Sequence, residues 1–301
     1  MKLRYHLGKN FGDALNPVLF DNLLPGFFND DEREVLLGIG SILGLVQLSP
    51  ITKKVHVFTS GFAYGEFPEW TKRLDVEYLA VRGPLTADKF NTPSTTVLAD
   101  GGILADRLLT SNEIGEQKKY KWSYIPHHYS IDKYDGFKAL CAQIGVHLID
   151  PNITENNTVV DVIREINRTE LLIAEAMHGA IIADALRVPY IPVKSYKHIN
   201  EFKWKDFAGS MNIELELHWL ERLYSKEFLS AKLKQRSNIP VPFGNAAYQI
   251  AKTISLFNED RFAKRMEKLI QAQPLVLSES NILNEKQEQL LSLLDEINNR
   301  H

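Results

Sequence analysis

A carboxylate and a histidine interrupt an otherwise apolar segment in the middle of the chain. Residues 171–193 read LLIAEAMHGAIIADALRVPYIPV, with Glu175 three residues before His178. The apolar run before His178 predicts a buried strand, and the residues from Gly179 onward predict a helix. Because the first N–H groups of a helix lack partners and the helix dipole is positive there, a phosphate or carboxylate binds favourably at such a turn. We therefore expect His178 at an anion-binding turn, where its ring could donate a proton.

Polar residues and glycines follow the other predicted strands in the same way. Apolar runs predict strands at 34–40, 54–61, 76–83, 95–102, 122–128, 146–150, 171–176 and 190–193. In open parallel sheets, ligands bind outside the carboxyl ends of the strands. We expect Asp13, Glu175 and His178 at this edge of the sheets. The same edge should carry the candidates for substrate binding, which are Asn10, Gly12, Gly40, Ser41, Ser60, Gly61, Arg82, Asp100, His127, His128, Gly179, Lys194 and Lys197.

Several of these residues also have ordinary structural explanations. Asp13 suits an N-cap, and Arg82 could pair with a surface carboxylate. Gly38-Ile39-Gly40 resembles half of a dinucleotide fingerprint, but the third glycine is missing and no acidic residue closes a matching unit, so a nicotinamide site is not expected. His127 and His128 are predicted on a strand, where adjacent side chains point to opposite faces and chelate a metal poorly.

The order of elements predicts an α/β fold with two Rossmann-like domains. Helical patterns at 13–24 and 84–90 alternate with the first four strands, and the alternation restarts near residue 122, after a polar stretch at 113–121. From about residue 212 the pattern is helical. We expect one domain over 1–118, a second over 119–275 with a helical extension, and a loosely attached C-terminal helix or a disordered tail over 276–301.

Composition excludes several classes of protein. The chain has 301 residues, of which 44% are apolar and 24% charged, as is usual for a globular protein. Its formal net charge of −3 is not the excess of positive charge expected of a nucleic-acid-binding protein. No apolar window is long enough for a transmembrane helix, and the N-terminus lacks the apolar region of a signal peptide. Cys141 is the only cysteine, so neither an intrachain disulfide nor a multi-thiolate metal site can form. We expect a cytoplasmic protein.

Six segments, taken in order, resemble the polysaccharide pyruvyl transferase family. They are NFGDALNPVLFDNL, LLGIGSIL, YLAVRGPLTA, VLADGGIL, AEAMHGAIIADALRVPYIPV and FKWKDFAGSMNIEL, at residues 10–23, 36–43, 78–87, 97–104, 174–193 and 202–215. The resemblance implies a glycosyltransferase-B-like fold with the active site in the cleft between two domains. It also implies transfer of pyruvate from phosphoenolpyruvate to two hydroxyls of a sugar, which forms a cyclic ketal in exopolysaccharide biosynthesis.

That chemistry requires groups that give and take protons and a cation for the donor. Protonation of the donor's methylene carbon makes C2 electrophilic, so that a sugar hydroxyl can attack it. We expect His178 to donate a proton and Asp13 or Glu175 to accept one. Many family members carry an arginine two positions before the motif histidine, where this chain has Ala176. Arg82 is then the first candidate for the anchor of phosphoenolpyruvate, followed by Lys194 and Lys197. No cofactor and no metal are expected.

Two other functions fit the same residues. A sugar-nucleotide glycosyltransferase of the same fold class would use the same cleft, and a non-catalytic module would only bind an anion. The acceptor is expected to be a sugar or a lipid-linked oligosaccharide, and its identity is open. A lipid-linked acceptor would bring the protein to the inner membrane face, with the basic residues at 262–271 as the candidate contact. Such a stretch is also typical of a solvated helix face.

Overall fold

Two separate five-stranded parallel sheets organise the chain. The computed structural model describes residues 1–8, 10–196, 199–237 and 244–300. The first sheet has the order β1-β2-β3-β4-β5, with strands at Lys2–Arg4, Glu34–Leu37, Lys54–Ser60, Asp75–Val81 and Val97–Leu98. The second has the order β10-β9-β8-β6-β7, with β6 to β10 at Tyr120–Ile125, His147–Leu148, Thr169–Ala174, Tyr190–Lys194 and His218–Trp219. The predicted α/β class with parallel sheets is confirmed.

Helices connect and cover the two sheets. In chain order, α1 to α11 lie at Phe11–Leu23, Pro84–Phe90, Ser111–Ile114, His128–Ile131, Phe137–Gln143, Val159–Asn167, Met177–Ala185, Glu201–Ser210, Lys226–Ser237, Gly244–Ala272 and Ser280–Asn299. Two 3-10 segments lie at Glu69–Lys72 and Gly101–Leu108. None of the helices described is long and apolar enough to cross a membrane.

Two strands end earlier than the sequence pattern predicts, and both ends matter for the site. The predicted strand at 95–102 pairs only over β5, because the Asp100 side chain accepts the N–H of Gly102 and starts a 3-10 segment. The predicted strand at 122–128 ends at Ile125, because proline at 126 has no N–H for the ladder. His127 then caps α4 instead of continuing the strand.

The C-terminal third departs most from the sequence expectations. The helical pattern from residue 212 is wrong over its first part, which contains β10, and the described helix α9 begins only at Lys226. The sequence reading also missed α8. The C-terminal helix expected over 276–301 is present as α11, but it is neither loosely attached nor disordered. Helix α11 buries Leu283, Leu290 and Leu294, and the Gln287 side chain donates to the Ile103 carbonyl oxygen, 2.7 Å away.

The carboxyl ends of the two sheets face each other. The N–H of Phe11 donates to the carbonyl oxygen of Pro151 at 3.2 Å, and Asn10 forms a β-bridge with Asn152. Helix α7, which follows β8 of the second sheet, packs against α1 and the 101–108 segment, which belong with the first sheet. One apolar cluster includes residues of all three elements. The residues that follow the strands of both sheets are thereby brought to a common cleft.

Candidate active site

A cavity of about 400 Å³ opens between the two halves of the chain at the carboxyl ends of their strands. Its walls include His6 and Asp13 from the first half and His128 and Asn152 from the second. A larger depression of about 820 Å³ lies elsewhere, between α1 and α6, and none of the expected site residues lines it. The chemistry of the lining residues therefore favours the smaller cavity as the candidate site.

His178 is held at the start of α7 by contact with the first half of the chain. Its ring lies so close to Gly12 that a Cβ at residue 12 would overlap Nδ1. Its Nε2 is buried and has no hydrogen-bond partner in the described part of the chain. The pKa of His178 is lowered to about 4, chiefly by burial and also by the charges of Lys203 and Arg82, and only the nearby Asp13 carboxylate opposes the shift. The imidazole is therefore neutral at pH 7.

Asp13 lies in the first turn of α1, facing the same space. Its Oδ2 accepts a hydrogen bond from Asn10 Nδ2 at 3.2 Å, and Asn10 itself is the N-cap, so the N-cap explanation for Asp13 is wrong. Gly40 lies beside it with φ of 125°, a conformation that favours glycine. Burial raises the pKa of Asp13, and the hydrogen bond from Asn10 and the nearby Lys203 ammonium oppose the rise. The carboxyl group is thus shifted toward its acid form.

Asp100 adds a second buried carboxyl next to His178. One oxygen, Oδ1, accepts the N–H of Gly102 at 2.9 Å, and Gly102 lies against the edge of the His178 ring. The other oxygen, Oδ2, is buried with no partner among the described residues. Burial raises the pKa of Asp100 to about 6, against the lowering effects of the Gly102 N–H and Arg82. Two unsatisfied polar atoms, one on His178 and one on Asp100, therefore flank the same glycine.

Glu175 is fully engaged and positions its neighbours. It is completely buried and accepts hydrogen bonds from the Tyr124 hydroxyl, the His127 N–H and the Ser130 hydroxyl at 2.9 to 3.0 Å. Burial raises its pKa, and these donors oppose the rise. Because all its contacts fix the turn that begins α4, the structure does not support the expected role of Glu175 as a proton acceptor.

The two adjacent histidines at that turn have different surroundings. The His127 ring accepts the Tyr129 N–H at 3.2 Å, which caps α4. The Nδ1 of His128 is buried without a partner in the described residues, and its ring is on the cavity wall. Burial lowers the pKa of His128, and nearby Asp132 opposes this. Their rings lie 4.2 Å apart between centroids, so the expectation that a strand separates them is wrong.

Arg82 is not available to a ligand in the way the sequence suggested. The side chain is completely buried, and its Nε pairs with Asp206 Oδ2 at 3.0 Å. The two terminal nitrogens donate to the Ser41 hydroxyl and the Phe62 carbonyl oxygen, both at 2.6 Å. These contacts hold α8 and the loops after β2 and β3 together, and they use three of the five guanidinium N–H groups. The expectation that Arg82 directly anchors a donor is not supported.

Other expected binding residues also have structural roles. A Cβ on Gly61 would overlap the Arg82 guanidinium, and the Ser60 hydroxyl donates to the Gly38 carbonyl oxygen. A Cβ on Gly179 would meet the side chain of Ile125, so this glycine permits α7 to pack on β6 and does not face a ligand. The ammonium of Lys194 pairs with Glu201 at the start of α8. Lys197 lies outside the described residues.

Lys203 is a cation that the sequence analysis did not single out. It lies on α8, is partly buried, and has no ion pair or hydrogen bond within the described residues. It is close enough to Asp13, His178 and Arg82 to affect them electrostatically. Its position could have been inferred only by recognising α8, where Lys203 lies one turn before the arginine-binding Asp206.

No three histidine, cysteine, aspartate or glutamate side chains lie together in a way that could hold a metal ion, in the ranges that the structure describes. The His127 ring caps α4, whereas the His128 Nδ1 has no partner in the described residues. The candidate site therefore consists of Asp13 and His128, which line the cavity between the two halves, together with the neighbouring Asp100, His178 and Lys203.

Comparison with known proteins finds a family model that covers Asp100, His128 and His178 of this site but neither Asp13 nor Lys203. The family model described as polysaccharide pyruvyl transferase matches residues 48–198. The succinoglycan biosynthesis protein ExoV of Rhizobium meliloti (strain 1021) is 39% identical over 204 residues, which are 68% of this chain and 62% of that protein. The matched region thus spans about three-fifths of the relative's length.

A solved structure also resembles the chain, but weakly. The crystal structure of an uncharacterized protein, KP1_0663, from Klebsiella pneumoniae subsp. pneumoniae NTUH-K2044 aligns with 68% of this chain and 87% of that chain, at 16% identity and a TM-score of 0.43. A TM-score of this size does not establish a shared fold.

Proposed function

Because the chain belongs to the polysaccharide pyruvyl transferase family, we propose that it transfers pyruvate from phosphoenolpyruvate to two hydroxyl groups of a sugar, in a polysaccharide or its precursor. The product is a cyclic pyruvate ketal. The observation that carries the proposal is the buried, unpartnered Nε2 of His178, set between Asp13 and Asp100 at a cleft that both halves of the chain form. The named role of the relative in succinoglycan biosynthesis supports an exopolysaccharide acceptor.

The shifts in pKa favour proton roles opposite to those expected from the sequence, with His178 as the acceptor and Asp13 as the donor. A neutral His178, with its pKa lowered to about 4, is suited to accept the proton of an attacking hydroxyl. Asp13, with its pKa raised by burial, is the better donor to the methylene carbon of phosphoenolpyruvate. In balance, the two hydroxyls release two protons as two C–O bonds form at C2. One proton is taken up by the methylene carbon, which becomes methyl, and the other leaves with phosphate as the C2–O bond breaks.

We propose a glycosyltransferase-B-like arrangement for this reaction, with units over 1–118 and 119–275 and the segment 276–301 returning to the first unit. The return of α11 to the 101–108 segment and the position of the cleft between two parallel sheets support it. We propose that the protein works in the cytoplasm and uses phosphoenolpyruvate as a donor substrate without a further cofactor. The family's chemistry is a group transfer with no net oxidation, which is consistent with this.

We also propose that α10 contacts an anionic membrane face, where a lipid-linked acceptor would lie. Ile250, Ile254 and Phe257 are 53%, 38% and 58% exposed and share one helix face through their spacing of four and three. Three exposed cations continue the same face toward the C-terminus of the helix, namely Arg261, Lys264 and Lys268. An apolar stripe followed by basic residues complements anionic headgroups over an apolar layer.

A donor-binding experiment tests the proposal without knowledge of the acceptor. Phosphoenolpyruvate at 100 times its Kd should stabilise the folded protein by about 2.7 kcal/mol, which is measurable as a rise in Tm. Phosphate alone should give a smaller rise. Stabilisation by a uridine or guanosine diphosphate sugar, with none by phosphoenolpyruvate, would contradict pyruvyl transfer and favour a glycosyltransferase.

A further inference from the structure

Helix α8 is fixed rigidly to the carboxyl edge of the first sheet. At its start, the Asn200 side chain donates to the Ala63 carbonyl oxygen. One turn before its end, Asp206 accepts from Arg82 and from both the N–H and the hydroxyl of Thr86 at 2.5 to 3.0 Å. Lys203 lies three residues before Asp206, so both side chains leave the same face of the helix. The helix therefore holds Lys203 over the edge where the site lies.

Lys203 has charged neighbours but no partner. Asp13 attracts it electrostatically and Arg82 repels it, and it lowers the pKa of both His128 and His178. The carboxylates of its own helix are already engaged, since Asp206 binds Arg82 and Glu201 binds Lys194. Lys203 is partly buried, so its ammonium group is partly shielded from water without a carboxylate partner, and a bound anion would compensate the cost of that shielding.

We propose that Lys203 is the cation that binds an anionic group of the donor, phosphate or carboxylate, beside His178. The identity of the donor rests on the proposed function, whereas the binding of an oxyanion does not. The residue would supply the positive charge that Ala176 lacks and that Arg82, locked in its three contacts, does not offer. It would come from a different element of the fold, α8, which approaches the cleft from the first sheet.

The electrostatics of Lys203 agree with this role. Its pKa is lowered to about 8, chiefly by burial and also by the Arg82 guanidinium, and the Asp13 carboxylate opposes the shift. At pH 7 the group is mostly charged, and it loses its charge as the pH rises through about 8. The lowered pKa values of His128 and His178 lie below this range, so their titration does not overlap that of Lys203. A bound dianion would raise the pKa of Lys203 and draw in a proton.

The test compares Lys203→Met and Lys203→Arg with wild type and with Lys205→Met as a matched control. Lys205 lies on the same helix, with 61% of its side chain exposed, and pairs only with Glu201 in the described residues. Calorimetry at pH 7 would measure the Kd of phosphoenolpyruvate, inorganic phosphate and pyruvate separately. Loss of one charge-assisted contact should raise the Kd roughly ten- to hundredfold in Lys203→Met and leave it unchanged in Lys205→Met.

Stability and pH dependence separate binding from a structural role. Lys203→Met should have a Tm equal to or above that of wild type, because it removes an unpartnered charge and keeps the apolar stem. In wild type, affinity should fall as the pH rises from 7 to 9, and in Lys203→Arg this fall should be absent because arginine stays charged.

The outcomes distinguish this inference from the proposed function. Weaker binding of phosphate identifies the phosphate as the bound group, and weaker binding of pyruvate identifies the carboxylate. Phosphoenolpyruvate that binds Lys203→Met and wild type equally would overturn the role of Lys203 alone. Wild type that binds phosphate through Lys203 but not phosphoenolpyruvate would overturn the proposed function alone. Wild type that binds none of the three would overturn both.

Discussion

The imidazole ring of His178 rests directly on the backbone of Gly12, and a side chain at residue 12 would occupy the space of the ring. The two residues are 166 positions apart in the sequence and belong to different halves of the chain. Gly12 sits in the first turn of α1 and His178 in the first turn of α7. The contact therefore fixes both the ring and the relation between two helix starts.

Replacing Gly12 by alanine should displace the His178 ring and abolish most of the activity of a folded protein. A misplacement of about 1 Å can cost about a hundredfold in rate, so we expect a decrease in kcat of at least that order. The matched control is Gly115→Ala, because residue 115 has a φ of −81° and its nearest neighbour is 3.5 Å away. Gly12→Ala with normal turnover would show that the ring position is not critical.

The Arg82–Asp206 ion pair should contribute to stability more than to donor binding. Asp206→Asn leaves a buried guanidinium without its charge partner, which typically costs about 3 kcal/mol of unfolding free energy. Denaturant unfolding of Asp206→Asn, Arg82→Met and the double variant would measure this as a thermodynamic cycle. A cost for the double variant equal to the sum of the two single costs would contradict a direct coupling.

The sequence was sufficient for the parts of the fold that local pattern controls. Pro84 starts α2 at the predicted residue, and eight apolar runs correspond to β2 to β9. Prediction from the sequence failed for the elements whose positions depend on contacts between residues far apart in the chain. Helix α8 has little amphipathic pattern and is held by Asp206 and Asn200, whose partners lie more than 100 residues away. Helix α11 is ordered by burial against the 101–108 segment, which no local signal reveals.

A pH titration of stability should reveal the buried Asp100. Its pKa is raised to about 6 in the folded state, so the folded form holds a proton that the unfolded form releases near pH 4. The favourable contribution is therefore complete below about pH 4 and is lost as the pH rises through 6, on the order of 3 kcal/mol. Asp100→Asn should be more stable than wild type at pH 7 and similar at pH 4. An unchanged pH profile in Asp100→Asn would contradict a raised pKa, and the exposed Asp88→Asn serves as the control.

The sequence placed most candidate site residues at the correct edge but could not tell which were already occupied. His178, Asp13 and Asp100 keep unsatisfied or shifted groups near the cleft. Arg82 and Glu175 end strands in the same manner, yet each is buried and already bound to three other residues. Strand position decides where a side chain lies, whereas its partners come from other elements and are not encoded in local spacing.

The exposed stripe on α10 should control association with anionic vesicles. Ile254→Ser combined with Phe257→Ser should abolish co-flotation with phosphatidylglycerol-containing vesicles and leave the Tm nearly unchanged, since both side chains are exposed. Ile51→Ser, at a position 57% exposed in the first half, is the control. Wild type that floats equally with purely zwitterionic vesicles, or not at all, would contradict the electrostatic part of the membrane proposal.

The most direct measurement of the central claim is the mass of the product. The purified protein would be incubated with phosphoenolpyruvate and a panel of oligosaccharide and lipid-linked acceptors, and inorganic phosphate and acceptor mass would be followed together. We expect phosphate release matched one to one by a mass gain corresponding to a pyruvate ketal, and we expect His178→Gln to lose both while its Tm at pH 7 changes little. Transfer of a sugar from a nucleotide donor, with no ketal formed from phosphoenolpyruvate by the same preparation, would contradict the account.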